Sequence, residues 1–392
     1  MQRYAILAAS VLMQMCLGAT YSWSVYVQPL KALTGLPQGP VQLPFTVFYF
    51  AFPLAMIFAG LWLPRLGPRF SAVTGGILFG CGWWLAGWGD VHFGLTVLGI
   101  GLLAGIGVGM AYIVPIATCI RWFPENKGLV TGVAVAGFGG GAALVSQIGA
   151  WRMHSYGDTP FETFQMLGLV FMLLVVAAGL CMRNPPGTHL AVTRPFSWRE
   201  IVARREFQIL YLVMGCGLAA GFAVNANLKE LYTGGTLRAG VGAVGAFALA
   251  NAAGRIAWGW GFDRFGGRAT VGANLLLQAA VLLLGPWILV SSTGLLLFAA
   301  LTGFNYGGVL VLYASSVALH WGSAGVGQVY GLLFSVNIPA ALAPLAAGLL
   351  FDATASFKPA LWGLAALLIA GGVLFLRTPQ PVAGWASTKP LQ

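Results

Sequence analysis

LANAAGRIAWGWGFDRFGGR, residues 249–268, runs apolar and glycine-rich through a single arginine, Arg255, and ends in a charged decapeptide. That ending, GWGFDRFGGR (259–268), has a counterpart in GLWLPRLGPR (60–69), 199 residues earlier. A second pair keeps the same spacing: RWFPENKGLVTG (121–132) against HWGSAGVGQVYG (320–331), with Trp122 on Trp321, Gly128 on Gly327 and Gly132 on Gly331. Chance supplies one match between glycine-rich segments, but two at a single offset indicate an internal duplication in parallel orientation.

What is duplicated follows from composition. The chain has 392 residues, 58% of them hydrophobic and 7% charged, with a mean hydropathy of +0.84, far outside the soluble globular class. Twelve apolar runs long enough to cross a hydrocarbon core of ~30 Å are expected at 4–30, 41–63, 70–89, 93–119, 128–150, 162–182, 207–228, 241–262, 270–290, 294–319, 326–350 and 359–376. The longest polar stretch, RNPPGTHLAVTRPFSWREIVARRE (183–206), separates six from six. The expected division is an N-terminal six-helix bundle over 1–182, a linker over 183–206, a C-terminal six-helix bundle over 207–377 and a tail over 378–392. Within the linker Ser197 and Glu200 form an S-x-x-E capping box, which predicts a short amphipathic helix at the membrane surface. The first run is too long for a signal-peptide core and is expected to remain as a span. The five cysteines, Cys16, Cys81, Cys119, Cys181 and Cys216, lie in or at the ends of runs without disulfide or zinc spacing. No metal and no cofactor is expected.

The net charge of +11 invites a nucleic-acid partner, but its distribution argues against one. Arg3, Arg65, Arg69, Arg121, Lys127, Arg183, Arg194, Arg199, Arg204, Arg205, Arg264, Arg268, Arg377 and Lys389 fall on one side of the expected membrane. Lys31, Arg152, Lys229, Arg238 and Lys358 fall on the other, 14 against 5. The positive-inside rule makes the richer side cytoplasmic, and with it both termini and the linker.

A G-x-x-x-D-R-x-G-x-R loop after the second helix of a duplicated six-helix half resembles the major facilitator superfamily. The second copy carries every position, at Gly259, Asp263, Arg264, Gly266 and Arg268, whereas the first has Pro64 in place of the acid, beside Arg65 and Arg69. The resemblance implies an all-α membrane protein: twelve transmembrane helices in two pseudo-symmetric six-helix bundles, with a monomeric functional unit. It also implies inner-gate contacts for Asp263, Arg264, Arg268, Arg65 and Arg69, joined by Glu125.

Each of the nine acids and four histidines falls in a loop or at a span end, Glu162 at the start of the sixth run, which leaves Arg255 as the one formally charged residue at depth. A charge there costs ~2.5–3.5 kcal/mol on insertion scales, so it normally faces a wet cavity and has a task. Snorkelling to the inner surface is the competing account, since Asp263 is eight residues on, about 12 Å along a helix. Direction disfavours it: helical side chains lean toward their own N-terminus, and this span runs from outside to inside. Asn251, one turn earlier, either donates to an anion or holds the guanidinium. A planar guanidinium matches a carboxylate bidentately, and more strongly where water is excluded.

In a two-bundle transporter the first and fourth helices of each half line the cavity, which nominates Tyr21, Tyr112, Asn225, Asn227, Asn305 and Tyr306. Phenol and amide donors suit a second oxygen on a small acid, and aromatic faces suit its carbon chain. GVAVAGFGGG (132–141) is no phosphate loop, lacking a preceding strand and a GK[ST] ending. It reads as close helix packing, and Pro339 as a bend.

RWFPENKGLVTGVAVAGFGGG (121–141) further resembles the fifth-helix signature of monocarboxylate transporters, at Trp122, Phe123, Glu125, Lys127, Leu129, Gly132, Ala134, Ala136 and Gly137. GATYSWSVY and GLLFDATASF resemble the bacterial oxalate/formate antiporter branch, and Arg255 falls on the group's eighth-helix arginine. The implied substrates are small carboxylate anions such as lactate, pyruvate or formate, carried across the inner membrane of a bacterium. Two departures matter. Asn251 stands where animal-type members have an aspartate tied to proton handling, and Asn337 stands where the oxalate/formate branch has a lysine. One cation favours a monoanion over a dianion. Proton-coupled symport is then served by the substrate carboxylate itself or by Asp263, Glu125 or His320, with anion exchange as the alternative. A hydrolase lacks acid/base groups at depth, and a cation-drug exporter lacks an intramembrane carboxylate. A channel or receptor fits the duplicated bundles less well.

Overall fold

The computed structural model describes residues 2–186, 197–228, 230–232 and 237–378. Linker residues 187–196 and the tail from 379 onward lie outside the described residues. The helices are α1 (Gln2–Leu17), α2 (Ser24–Thr34), α3 (Gln38–Ala86), α4 (Gly94–Thr96), α5 (Gly105–Trp122), α6 (Lys127–Trp151), α7 (Pro160–Cys181), α8 (Trp198–Ala203), α9 (Arg205–Ala226), α10 (Leu237–Phe265), α11 (Gly267–Ile288), α12 (Ser292–Leu333), α13 (Asn337–Ala340), α14 (Ala343–Thr354) and α15 (Lys358–Arg377). No strand occurs among the described residues.

Every expected run has its helical counterpart. The first is α1, a 3-10 turn and α2; the fourth joins α4 to α5 through a π-helical stretch, Val97–Ala104. The second and third share α3, broken only at Gly67, while the tenth and eleventh share α12, broken at Gly322, with the eleventh continuing through α13 and α14. Gly67 (φ 78°, ψ 164°) and Gly266 (φ 83°, ψ 156°) are 199 residues apart and adopt the same backbone state, one open essentially to glycine alone. The repeated decapeptide thus builds the same turn twice. Pro339 lies in the short α13, where the eleventh run is interrupted. Phe58, Leu173, Leu249, Trp287 and Leu367 are exposed, the outward apolar surface of helices meant for lipid. The predicted linker helix is α8, with Ser197 N–H donating to Glu200 Oε2 at 3.1 Å.

The chain folds into two compact units. Unit 1 comprises Met1–Pro124, Ala134–Pro195 and Ser323–Ser335; unit 2 comprises Glu125–Val133, Phe196–Gly322 and Val336–Gln392. Each unit therefore takes a short segment from the other sequence half. In unit 2, Gly128 and Gly259 meet so closely that a Cβ on either would overlap the other's carbonyl oxygen, and one on Gly132 would overlap that of Arg255. In unit 1 a Cβ on Gly60 would overlap the Gly327 carbonyl, and one on Gly331 would stand 2.7 Å from that of Met56. All three pairs, 128/327, 132/331 and 60/259, keep the 199-residue offset.

Candidate anion-binding site

Arg255 sits in the body of α10, inside unit 2, and is only 6% exposed. Its Nε donates to Asn251 Oδ1 at 3.0 Å, and Asn251 Nδ2 donates to the Gly303 carbonyl at 3.4 Å. Of the two roles open to Asn251, holding the guanidinium is the one adopted. An amide oxygen on Nε fixes the plane of the guanidinium without neutralising it.

Three glycine contacts press α12 onto α10 at this level. A Cβ at Gly303 would overlap the Phe247 carbonyl, one at Gly254 the Phe304 carbonyl, and one at Gly307 the Asn251 carbonyl. Tyr306 precedes Gly307 and packs its ring 5.9 Å from both Phe222 and Phe247. Arg255, Asn251 and Tyr306 are thus assembled at one helix crossing. Asn305 is buried but turned to α11: its carbonyl accepts from Asn274 Nδ2 at 2.8 Å and its own Nδ2 donates to the Leu301 carbonyl at 3.0 Å. Asn337, 7% exposed, begins α13. Asn225 is exposed, and Asn227 Nδ2 donates to the Ala223 carbonyl at 2.8 Å.

The tyrosines of the first half lie in unit 1. Tyr112, 1% exposed, contacts Phe52, Phe138 and Phe334 at ring distances of 5.2, 5.4 and 5.5 Å. Tyr21, 38% exposed, meets Phe138 at 5.2 Å and Tyr49 at 5.8 Å. Phe138 joins the two expected tyrosines into one aromatic cluster. Phe52, Phe138 and Phe334 escaped sequence reasoning because 25 phenylalanines scattered over apolar spans offer no pattern that singles out three.

Of the loop residues, Asp263 has the most defined geometry. Its two carboxylate oxygens accept from the Gly128 and Leu129 N–H groups at 2.8 Å each, capping the start of α6. Burial raises its pKa above the ordinary carboxylate value, against the opposing pull of these amides and of Lys127. Arg268 Nη2 donates to the Leu376 carbonyl. Arg264, Arg65, Arg69 and Glu125 are exposed, and His320 is half-buried beside Trp321, its Nδ1 without a hydrogen-bond partner among the described residues. Arg121, read from sequence only as a topological charge, reaches the Ser323 and Ala324 carbonyls at 3.4 Å each and Asn184 Oδ1 at 2.6 Å.

Known proteins resemble this chain over most of its length. The Oxalate:formate antiporter of Oxalobacter formigenes is 28% identical over 86% of this chain and 82% of its own length. Monocarboxylate transporter 13 of Rattus norvegicus is 27% identical over 81% and 74%. Among solved structures, the transporter FucP in its outward conformation aligns with a TM-score of 0.74 at 16% identity, covering 95% of this chain and 97% of that one. The profile of the Major Facilitator Superfamily matches residues 8–238, more than half of the sequence. A duplicated twelve-span helical chain with that match belongs to the major facilitator superfamily.

Proposed function

We propose that this transporter carries small monocarboxylate anions of the lactate and pyruvate type by alternating access, with the substrate carboxylate bound at Arg255. What carries the proposal is the buried guanidinium itself, held in plane by Asn251 at the α10–α12 crossing that also presents Tyr306. A carboxylate entering there forms charge-assisted bonds in a water-poor setting, where they are strongest. Tyr306 and Asn337, both in unit 2, are the further groups proposed to contact substrate. The relatives' names support the substrate class: one is called an oxalate:formate antiporter, the other a monocarboxylate transporter. The setting proposed is the inner membrane of a bacterium, with a monomeric functional unit and both termini cytoplasmic, from the 14-to-5 distribution of basic residues.

Coupling to protons is the first reading, with Asp263 the best-placed titratable group. Its carboxylate holds the 125–133 segment to α10, so its protonation state would bear on the release of that segment. Anion exchange is the second reading, favoured by the partner on Arg255 Nε being a neutral amide rather than a carboxylate. Occluding the guanidinium without a bound anion costs kilocalories, and exchange avoids that step. The deciding experiment is uptake of labelled lactate into proteoliposomes under an inward pH gradient and clamped voltage. Accumulation in empty vesicles supports symport, and uptake only into lactate-loaded vesicles supports exchange. Failure with lactate, pyruvate and formate in both overturns the proposed substrate class.

A further inference from the structure

Unit 2 buries a second polar group of side chains, on the far side of α12 from Arg255. Asn274 and Gln278 lie one turn apart on α11, at 1% and 0% exposure, and Asn305 on α12 is at 4%. The Asn274 and Asn305 Nδ2 groups donate to the Asn305 and Leu301 carbonyls, which fixes the amide orientations: turning either would set oxygen against oxygen. Trp258 of α10 reaches the same place. A Cβ on Gly308 would lie 2.6 Å from Trp258 Cδ1 and 2.9 Å from Asn274 Nδ2, so the indole edge and the amide meet over that glycine.

Asn274 Oδ1, Asn305 Oδ1, both polar atoms of Gln278 and Trp258 Nε1 are buried and have no hydrogen-bond partner among the described residues. Buried polar atoms are satisfied almost without exception, because each one left unmet subtracts from a small net stability. The chemistry of the set selects its ligand. Three of these atoms are acceptors and two are donors, so a cation would face N–H groups and an anion would face carbonyl oxygens. An apolar molecule would satisfy none of them. Water serves both kinds and is small enough for a seam whose amide side chains are 0–4% exposed.

We propose that Trp258, Asn274, Gln278 and Asn305 enclose a bound-water site between α11 and α12, of about two waters at ~3 hydrogen bonds each. Asn305 is two residues from both Gly303 and Gly307, which at 3.6 residues per turn puts it on the opposite side of α12 from the Arg255 crossing. α12 then has a dry glycine face toward α10 and a hydrated amide face toward α11, and Asn305 serves as a ligand of water.

The test turns on a sign. In a hydrated seam, Gln278→Met takes partners from the waters, and the thermal unfolding midpoint of the full-length purified protein falls by a few degrees. Adding Asn274→Leu lowers it by less than the sum of the two single effects, because both residues serve the same waters. In a dry seam, Gln278→Met removes two unmet polar atoms and the midpoint rises, which overturns the proposal. A structure of the wild-type protein at a resolution that shows ordered water decides the matter even if the variants fail to fold. Water within hydrogen-bond distance of Asn274 Oδ1 and of Gln278 supports the site, and a seam without it overturns it.

Discussion

The segment 125–133 of unit 2 and the segment 323–335 of unit 1 cross their partner helices at equivalent glycines but are held by opposite chemistry. In unit 2 the Asp263 carboxylate takes two N–H groups at the start of α6, each at 2.8 Å, where a negative charge also suits the helix dipole. In unit 1 the matching position is Pro64, and the grip comes from Arg121, whose guanidinium reaches the Ser323 and Ala324 carbonyls at 3.4 Å. Those are long bonds, and a cation near the start of a helix gains nothing from its dipole. The duplication has kept its packing and lost its polar symmetry. A backbone crossing that excludes Cβ atoms tolerates only glycine in both copies, whereas a polar clamp can be rebuilt from other residues. The same divergence sets Arg255 at the position that the first copy fills with the fully buried Met56.

The largest effect expected tests that last pair. Arg255→Ala should weaken lactate binding to the purified protein by about 2–5 kcal/mol, tens- to thousands-fold, as expected when one partner of a desolvated charge pair is removed. Met56→Ala should leave the affinity nearly unchanged and lower the unfolding free energy by about 2–5 kcal/mol, the cost of a core cavity. Equal losses of affinity in the two variants would mean that the charge is not the ligand. Next come the crossings that remain symmetric. Gly60→Ala and Gly259→Ala should each destabilise by about 1–3 kcal/mol in thermal unfolding, because a backbone must move to admit the methyl. Gly139→Ala in α6, with nothing within 4 Å of the added carbon, should instead stabilise by about 0.5–1 kcal/mol. A large difference between the Gly60 and Gly259 variants would break the packing symmetry.

How much of this was legible in the sequence depends on the kind of signal. Spans are set by hydropathy, and the repeat by a fixed offset, so the twelve runs and the paired segments 60–69 and 259–268 could be read directly, while the glycine turns at Gly67 and Gly266 appear only in the structure. Asn251 and Arg255 were legible as neighbours because four residues make one helical turn, although which of its two roles Asn251 takes needed the position of the Gly303 carbonyl. Asn305 shows the limit. A span apolar on all sides has no amphipathic phase, so nothing in GFNYGG says that Tyr306 packs on Phe247 while Asn305 turns to Asn274. Arg121 was hidden for a different reason: among basic residues expected on the inner side it looks like a topological anchor, and its carbonyl partners lie 202 and 203 residues away.

Smaller effects separate the two clamps. Asp263→Ala removes a cap that serves two amides and should cost about 0.5–2 kcal/mol of stability. Arg121→Gln gives up two long bonds and one to Asn184, and should cost less than Asp263→Ala. Thermal unfolding of the two variants side by side measures the difference, and a larger loss at Arg121 would reverse the ranking of the clamps.

The smallest effect is a pH dependence that only the second copy can have. Burial at α6 raises the Asp263 pKa above its ordinary value, so the folded arrangement binds this proton more tightly than the solvated carboxyl does. Stability contributed by this group therefore increases as pH falls from the raised pKa toward the ordinary one, the reverse of a carboxylate whose pKa is depressed by an ion pair. Asp263→Asn should remove that component from the profile of unfolding midpoint against pH, and Arg121→Gln should leave it in place. If Asp263→Asn instead removes a component that strengthens with rising pH, the two amide bonds outweigh burial. In that case the charged form holds α6, and protonation would release the 125–133 segment rather than secure it.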